Sequence, residues 1–66
     1  MDIIVNGEKT TCDDGILLTD FVKQNGYDIS HIAIEVNEEI IPKADYGQCK
    51  LGPQDKLEVV TFVGGG

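Results

Sequence analysis

The sequence contains no arginine. Its 66 residues carry five lysines against twelve acidic residues, a formal net charge of −7 at pH 7. Binding to nucleic acid draws most of its affinity from Lys and Arg neutralising phosphates, so this balance argues against nucleic acid, and by the same logic against an anionic membrane surface. The apolar runs, such as Ile3-Ile4-Val5 and Ile16-Leu17-Leu18, are short. They fall far below the ~20 residues a bilayer-spanning helix needs. Cysteine is scarce, with only Cys12 and Cys49, and His31 is the single histidine. Without a CxxC pair these three cannot complete the tetrahedral Cys/His set of a structural zinc site. No metal site and no bound cofactor are expected. Nothing points to an oxidising compartment, so two unpaired thiols in a cytoplasmic protein are expected. His31 is expected at the surface, without a catalytic partner.

Other features are missing as well. There is no internal repeat, no low-complexity segment and no charge block of the kind that marks disorder. Met1 leads straight into an alternating pattern, and no signal peptide is expected. A chain this short buries only about 60% of the surface its unfolded form exposes. One domain with a small core and little room for a deep pocket follows. Two readings of the acidity stand side by side: it keeps a small protein soluble, or it steers the domain onto a basic protein surface.

What is present is strong local patterning. Met1 to Asn6 alternates, with Met1, Ile3 and Val5 on one face, as a half-buried strand does. Asn6-Gly7 is the dipeptide of a two-residue hairpin turn, in which both residues need positive φ. Glu8 to Cys12 returns as a second strand. Asp13-Asp14-Gly15 breaks the pattern, and acids there suit the positive end of a helix. That helix is expected over Ile16 to Asn25, with Leu17, Leu18, Phe21 and Val22 on its apolar face. Asn25-Gly26 stops it, and Tyr27 to His31 connects onward. Ile32 to Asn37 alternates again. Asn37-Glu38-Glu39 turns the chain into a short strand at Ile40-Ile41, ended by Pro42. Lys43 to Lys50 is polar and irregular, with one helical turn at most, and Leu51 anchors the core. Gly52-Pro53-Gln54-Asp55 is a turn, and Lys56 to Val63 is the last strand.

The order strand, strand, helix, strand, short strand, strand predicts an α+β fold. A mixed sheet of four to five strands carries one main helix across one face, with the first and last strands adjacent at the centre. That arrangement is the β-grasp. Residues 1–63 form this domain and residues 64–66 a flexible C-terminal glycine tail. If Leu57 and Val59 face the helix, then Val60 and Phe62 lie on the open side. Ile4 and Ala33 are expected beside them. Such an apolar cluster is either a docking surface or an ordinary scatter of surface apolars.

The chain ends Phe62-Val63-Gly64-Gly65-Gly66. Glycine is the residue most costly to order, so three in a row contribute nothing to a core. They suit a tail that threads a narrow channel and presents the Gly66 carboxylate to another protein. A loose terminus is the alternative.

With the opening Ile3-Ile4-Val5-Asn6-Gly7-Glu8, the middle Ile34-Glu35-Val36-Asn37-Glu38-Glu39-Ile40-Ile41-Pro42, the stretch from Gly52 to Val60 and the terminal glycines, the chain resembles the ThiS family. These are the ubiquitin-like sulfur carrier proteins of thiamine (thiazole) biosynthesis. The resemblance covers essentially the whole chain. One departure is Gly52-Pro53-Gln54-Asp55, where family members often have Gly-Asp.

The resemblance implies a carrier rather than an enzyme. Gly66 would carry the reactive carboxylate, and Gly64 and Gly65 the extendable backbone. Val63 and Phe62 would anchor the tail, and Val60 and Ile4 would belong to the partner-binding surface. The implied partners are an E1-like adenylyltransferase (ThiF-like) that uses ATP, a cysteine desulfurase or sulfurtransferase, and a thiazole synthase (ThiG-like). Three rivals stay open: the carrier of another pathway, resembling the small subunit of molybdopterin synthase; a ubiquitin-like protein modifier; and a plain binding module with an idle tail.

Overall fold

The computed structural model describes residues 1–63, and expectations on Gly64, Gly65 and Gly66 lie outside the described residues. Five strands and one helix follow in chain order: β1 (Asp2–Val5), β2 (Glu8–Thr11), α1 (Leu18–Gln24), β3 (Ile32–Val36), β4 (Glu39–Ile40) and β5 (Lys56–Thr61). They form one sheet in the order β2-β1-β5-β3-β4. The central pair β1–β5 is parallel, and the β1–β2, β3–β5 and β3–β4 pairs are antiparallel. This is the expected mixed β-grasp sheet, with its first and last strands side by side.

The core lies between the sheet and α1. Alternation places Ile3 and Val5 of β1, Ile32 and Ile34 of β3, and Leu57 and Val59 of β5 on one face of the sheet, all buried. Leu18, Phe21 and Val22 of α1 are buried on the same core, with Ile16 and Leu51 closing its ends. The hairpin dipeptide acts as expected, with Asn6 at φ 50° and Gly7 at φ 82°. The helix stops at Asn25, followed by Gly26 at φ 73°.

The helix starts later than its periodicity predicts. Leu17 is extended at the N-cap, and Asp13 and Asp14 do not cap it. The reason is tertiary. Leu18 N–H donates to Cys49 O at 2.8 Å and Leu51 N–H to Ile16 O at 2.9 Å, which ties this stretch to the segment from Cys49 to Leu51 as an extended chain. Leu17 therefore leaves the apolar helix face, and the Asp14 carboxylate lies 3.0 Å from the Met1 amino group. Strand β4 lies one residue earlier than expected, and β5 ends at Thr61 rather than Val63.

Tyr46 is the core residue the pattern did not announce. It sits in the irregular segment after a 3₁₀ turn at Lys43–Asp45 and is only 1% exposed. Its buried hydroxyl lies toward the Ile34 carbonyl without meeting hydrogen-bond geometry, and burial raises its pKa.

Asn6 links the sheet's centre to its end. Its positive φ turns the backbone away, while its carboxamide stays in the sheet. Oδ1 accepts from Val59 N–H at 2.8 Å, and Nδ2–H donates to Val59 O at 3.2 Å. The side chain thereby supplies β5 with the donor and acceptor that another residue of β1 would have offered.

Candidate functional site

The candidate site is the end of β5 that leads to the C-terminus. Residues opposite one another in a ladder share a face, so the register decides which side chains meet. Ala33 is opposite Val60, and Phe62 N–H donates to His31 O at 2.9 Å. Val60 and Phe62 lie on the face away from the helix, 55% and 41% exposed, with Ala33 and His31 beside them on β3's side. Val63 follows, fully exposed.

Ile4 does not join this group. In the parallel β1–β5 register Ile4 is opposite Lys56, and on its other side it is opposite Lys9. Lys56 and Val60 stand about 13 Å apart along the strand at ~3.3 Å per residue. Ile4 therefore shares the open face but sits at its other end, between two lysines. Alternation assigns a residue to a face, while only the register assigns it a position along that face.

Three residues that the alternation did not mark belong to the surroundings of the cluster. Ile40 is 72% exposed and opposite Glu35, which puts it on the same open face. Lys43, brought in by the 3₁₀ turn after β4, holds its Nζ 5.3 Å from the centre of the Phe62 ring. A cation over an exposed aromatic ring contributes roughly 0.5–1 kcal/mol. On the other flank the His31 ring lies 6.4 Å from the Phe62 ring at a tilt of 56°. Phe62 is thus framed by two basic side chains in a strongly acidic protein. Nothing local in the sequence says which ring Lys43 covers.

His31 was expected to stand alone, yet its neighbour Ser30 and Asp28 both engage it. Asp28 caps a 3₁₀ turn at Ile29–His31 by accepting from Ser30 N–H at 3.0 Å. His31 Nδ1 lies 2.7 Å from Asp28 Oδ2, and Ser30 Oγ–H donates to Asp28 Oδ1 at 2.7 Å. The Ser30 hydroxyl holds the Asp28 carboxyl down to about 2, with His31 and the Ser30 amide adding to it.

The residue types are those of a catalytic triad, but the geometry is not. Ser30 Oγ approaches Nδ1, the same ring nitrogen that meets Asp28, at 3.1 Å. A nucleophile and an orienting carboxylate need opposite ring nitrogens. The cluster fixes the His31 ring beside Phe62 and does not activate Ser30.

Among the described residues no group of His, Cys, Asp and Glu could hold a metal ion, and no helix is long and apolar enough to cross a membrane. Cys12 and Cys49 are unpaired and half-buried, and burial pushes both thiols up in pKa. Two surface hollows, one against Ile41 and Pro42 and the other against Gly15 and Lys50, are open depressions. Neither includes Val60 or Phe62 in its lining.

A crystal structure of the thiamine biosynthesis protein ThiS from Geobacter metallireducens matches this fold at TM-score 0.87 over 100% of both chains, with 23% identity. Over all 66 residues the chain is 36% identical to part of the thiazole synthase of Paramagnetospirillum magneticum and spans 20% of that protein's length. It is 35% identical to the uncharacterized protein ycf40 of Pyropia yezoensis, covering 100% of this chain and 93% of the other. A family model described as ThiS family matches residues 3–66, from the first core isoleucine to the last glycine. With the β-grasp sheet and the match running through the terminal glycines, the chain belongs to the ThiS family.

Proposed function

We propose that the protein is the sulfur carrier of thiazole formation and that Gly66 bears the sulfur as a C-terminal thiocarboxylate. The observation that carries this reading is the extent of the family match, which runs to residue 66 and so includes the glycine end. Proteins of this family are small carriers, and here the domain of residues 1–63 serves recognition while residues 64–66 form the reactive arm. The chain is a co-substrate of its partners.

The chemistry follows from the terminal group. An α-carboxyl has a reference pKa of about 3.3–3.7 and is ionised at neutral pH. As a carboxylate it resists attack at carbon. An E1-like adenylyltransferase (ThiF-like) lets a Gly66 oxygen attack the α-phosphorus of ATP, which releases pyrophosphate and leaves an acyl-adenylate. The terminal sulfur of a persulfide, supplied by a cysteine desulfurase or sulfurtransferase, then displaces AMP. Cleavage of the S–S bond by a thiol leaves the thiocarboxylate on Gly66, and thiazole synthase takes the sulfur. ATP is consumed at the activating partner and is not a cofactor of this chain.

The arms of the reading have separate supports. Gly64 and Gly65 carry no side chain, which suits a channel lined closely around the backbone. Phe62 and Val60 present exposed apolar surface at the base of the arm, with Val63 extending it. The net charge of −7 suits a basic face on each partner. Support for thiazole synthase as the acceptor comes from a protein of that name in which a segment resembling this whole chain makes up 20% of the length.

The test is an intact mass measurement after incubation with ATP, the activating enzyme and a sulfur donor. The expected result is a mass gain equal to one oxygen replaced by sulfur, localised to Gly66. An unchanged mass with an activating enzyme of proven competence overturns the reading.

A further inference from the structure

Strand β5 outruns β1. Val5 is opposite Leu57, the Asn6 N–H donates to Leu57 O at 2.9 Å, and the Asn6 carboxamide takes up the backbone of Val59. Among the described residues no strand lies on the β1 side of β5 past Val59. On the other side β3 stays paired to the end, with Ile32 opposite Thr61 and Phe62 N–H bonded to His31 O.

Hydrogen-bonded and non-bonded pairs alternate along an antiparallel ladder. The bonded pair Phe62–His31 therefore turns the Thr61 backbone away from β3, as it does those of Leu57 and Val59. Asn6 meets the backbone of Leu57 and of Val59. No bond to the backbone N–H or C=O of Thr61 from that side exists among the described residues. A half-edge with one donor and one acceptor thus lies next to Phe62, at the base of the arm.

A bare strand edge is a template for another extended chain. We infer that an extended segment of the activating enzyme adds to the sheet at Thr61, exchanging backbone hydrogen bonds with it. This rests on the carrier reading. Phe62 and Val63 follow Thr61 directly and lead to the residues that the carrier reading sends into the enzyme, so an enzyme chain at that entry passes alongside Thr61. A second copy of this protein is a poor occupant. The Asn6-Gly7 turn closes one end of the edge, leaving it too short to hold two domains together. Two chains of net charge −7 also repel. The same charge favours an enzyme segment that carries Lys or Arg.

Amide hydrogen exchange on the full chain, free and with the activating enzyme and MgATP, is the first measurement. The Thr61 amide slows at least about tenfold in the complex, the factor that corresponds to one added backbone hydrogen bond. The second is Thr61→Pro, which deletes that N–H where the β3 ladder does not use it. The expected result is a raised KM for the carrier in ATP–pyrophosphate exchange, again by about tenfold. The exchange measurement uses the unaltered chain and so stands even if Thr61→Pro fails to fold.

Three results overturn the inference. In the first, the wild-type chain supports pyrophosphate exchange but its Thr61 amide exchanges equally fast bound and free. In the second, Thr61 becomes protected with rising protein concentration in the absence of enzyme, which assigns the edge to a second copy. In the third, the wild-type chain supports no pyrophosphate exchange, which overturns the carrier reading itself and removes the occupant.

Discussion

The carboxamide of Asn6 bonds the backbone of Val59 in both directions, 53 positions away in the chain. The backbone of Asn6 leaves the sheet at φ 50° while its side chain remains in register. Asn37 repeats the device, with Oδ1 accepting from Lys56 N–H at 3.0 Å and Nδ2–H donating to Asp55 Oδ1 at 3.0 Å. The start of β5 at Lys56 and its interior at Val59 are therefore held by asparagine side chains from the tips of hairpins.

Replacing Asn6 tests that hold. Asn6→Gly keeps a residue that accepts positive φ, so it removes the two side-chain bonds without straining the turn. The half-buried backbone of Val59 then lacks partners, and the loss of stability is about 1–3 kcal/mol. Urea unfolding at neutral pH measures it. An unchanged midpoint would mean that the carboxamide contributes nothing to the fold.

Acid weakens the flank of Phe62. The Asp28 carboxyl, ordinarily near 3.8, is held at about 2 in the folded protein by Ser30 and His31. A carboxyl with a depressed folded pKa stabilises the fold above its unfolded value and stops doing so as pH falls through the folded one. The contribution is thus present above 3.8 and disappears between 3.8 and about 2. Urea midpoints across that window should fall more steeply for the wild type than for Asp28→Asn. Parallel curves would remove Asp28 from the account.

Phe62 and Ile4 separate the two ends of the open face. Phe62→Asp should weaken binding to the activating enzyme in titration calorimetry while leaving the thermal midpoint near that of the wild type. Ile4→Asp places an acid between Lys9 and Lys56, and its binding should match the wild type. Equal losses for both variants would mean that the whole open face docks. No loss for Phe62→Asp would displace the docking surface from the base of the arm.

The arm itself is tested apart from the fold. Gly65→Ala, or deletion of Gly66, should leave the unfolding midpoint unchanged and stop ATP–pyrophosphate exchange. The added methyl or the lost residue alters only the part that enters the partner. Continued exchange by both variants would contradict the role proposed for the glycines.

Tyr46 separates packing from hydrogen bonding. Tyr46→Phe removes a buried hydroxyl that meets no partner in hydrogen-bond geometry, so stability should hold or rise slightly. Tyr46→Ala empties a fully buried site and should cost about 3–5 kcal/mol. A large loss in Tyr46→Phe would reveal a bond to Ile34 that forms in solution.

Whatever depends on near neighbours was legible in the chain. Alternation in Ile3 to Val5, Ile32 to Ile34 and Leu57 to Val59 marked the strands and their buried faces. Asn6-Gly7 and Asn25-Gly26 marked a turn and a helix end, because positive φ is a property of single residues. The segment from Val36-Asn37 to Ile41-Pro42, taken together with the terminal glycines, pointed to the family that residues 3–66 match. Tertiary structure decided the rest. Lys43 lies over Phe62, Tyr46 fills the core and Ile4 faces Lys56 rather than Val60. The helix begins at Leu18 because Cys49 and Leu51 hold the preceding residues extended. Each of these pairs residues far apart in sequence, whose meeting depends on sheet order and register. A period of two residues determines the face a side chain occupies, and only the packed sheet determines its neighbours on that face.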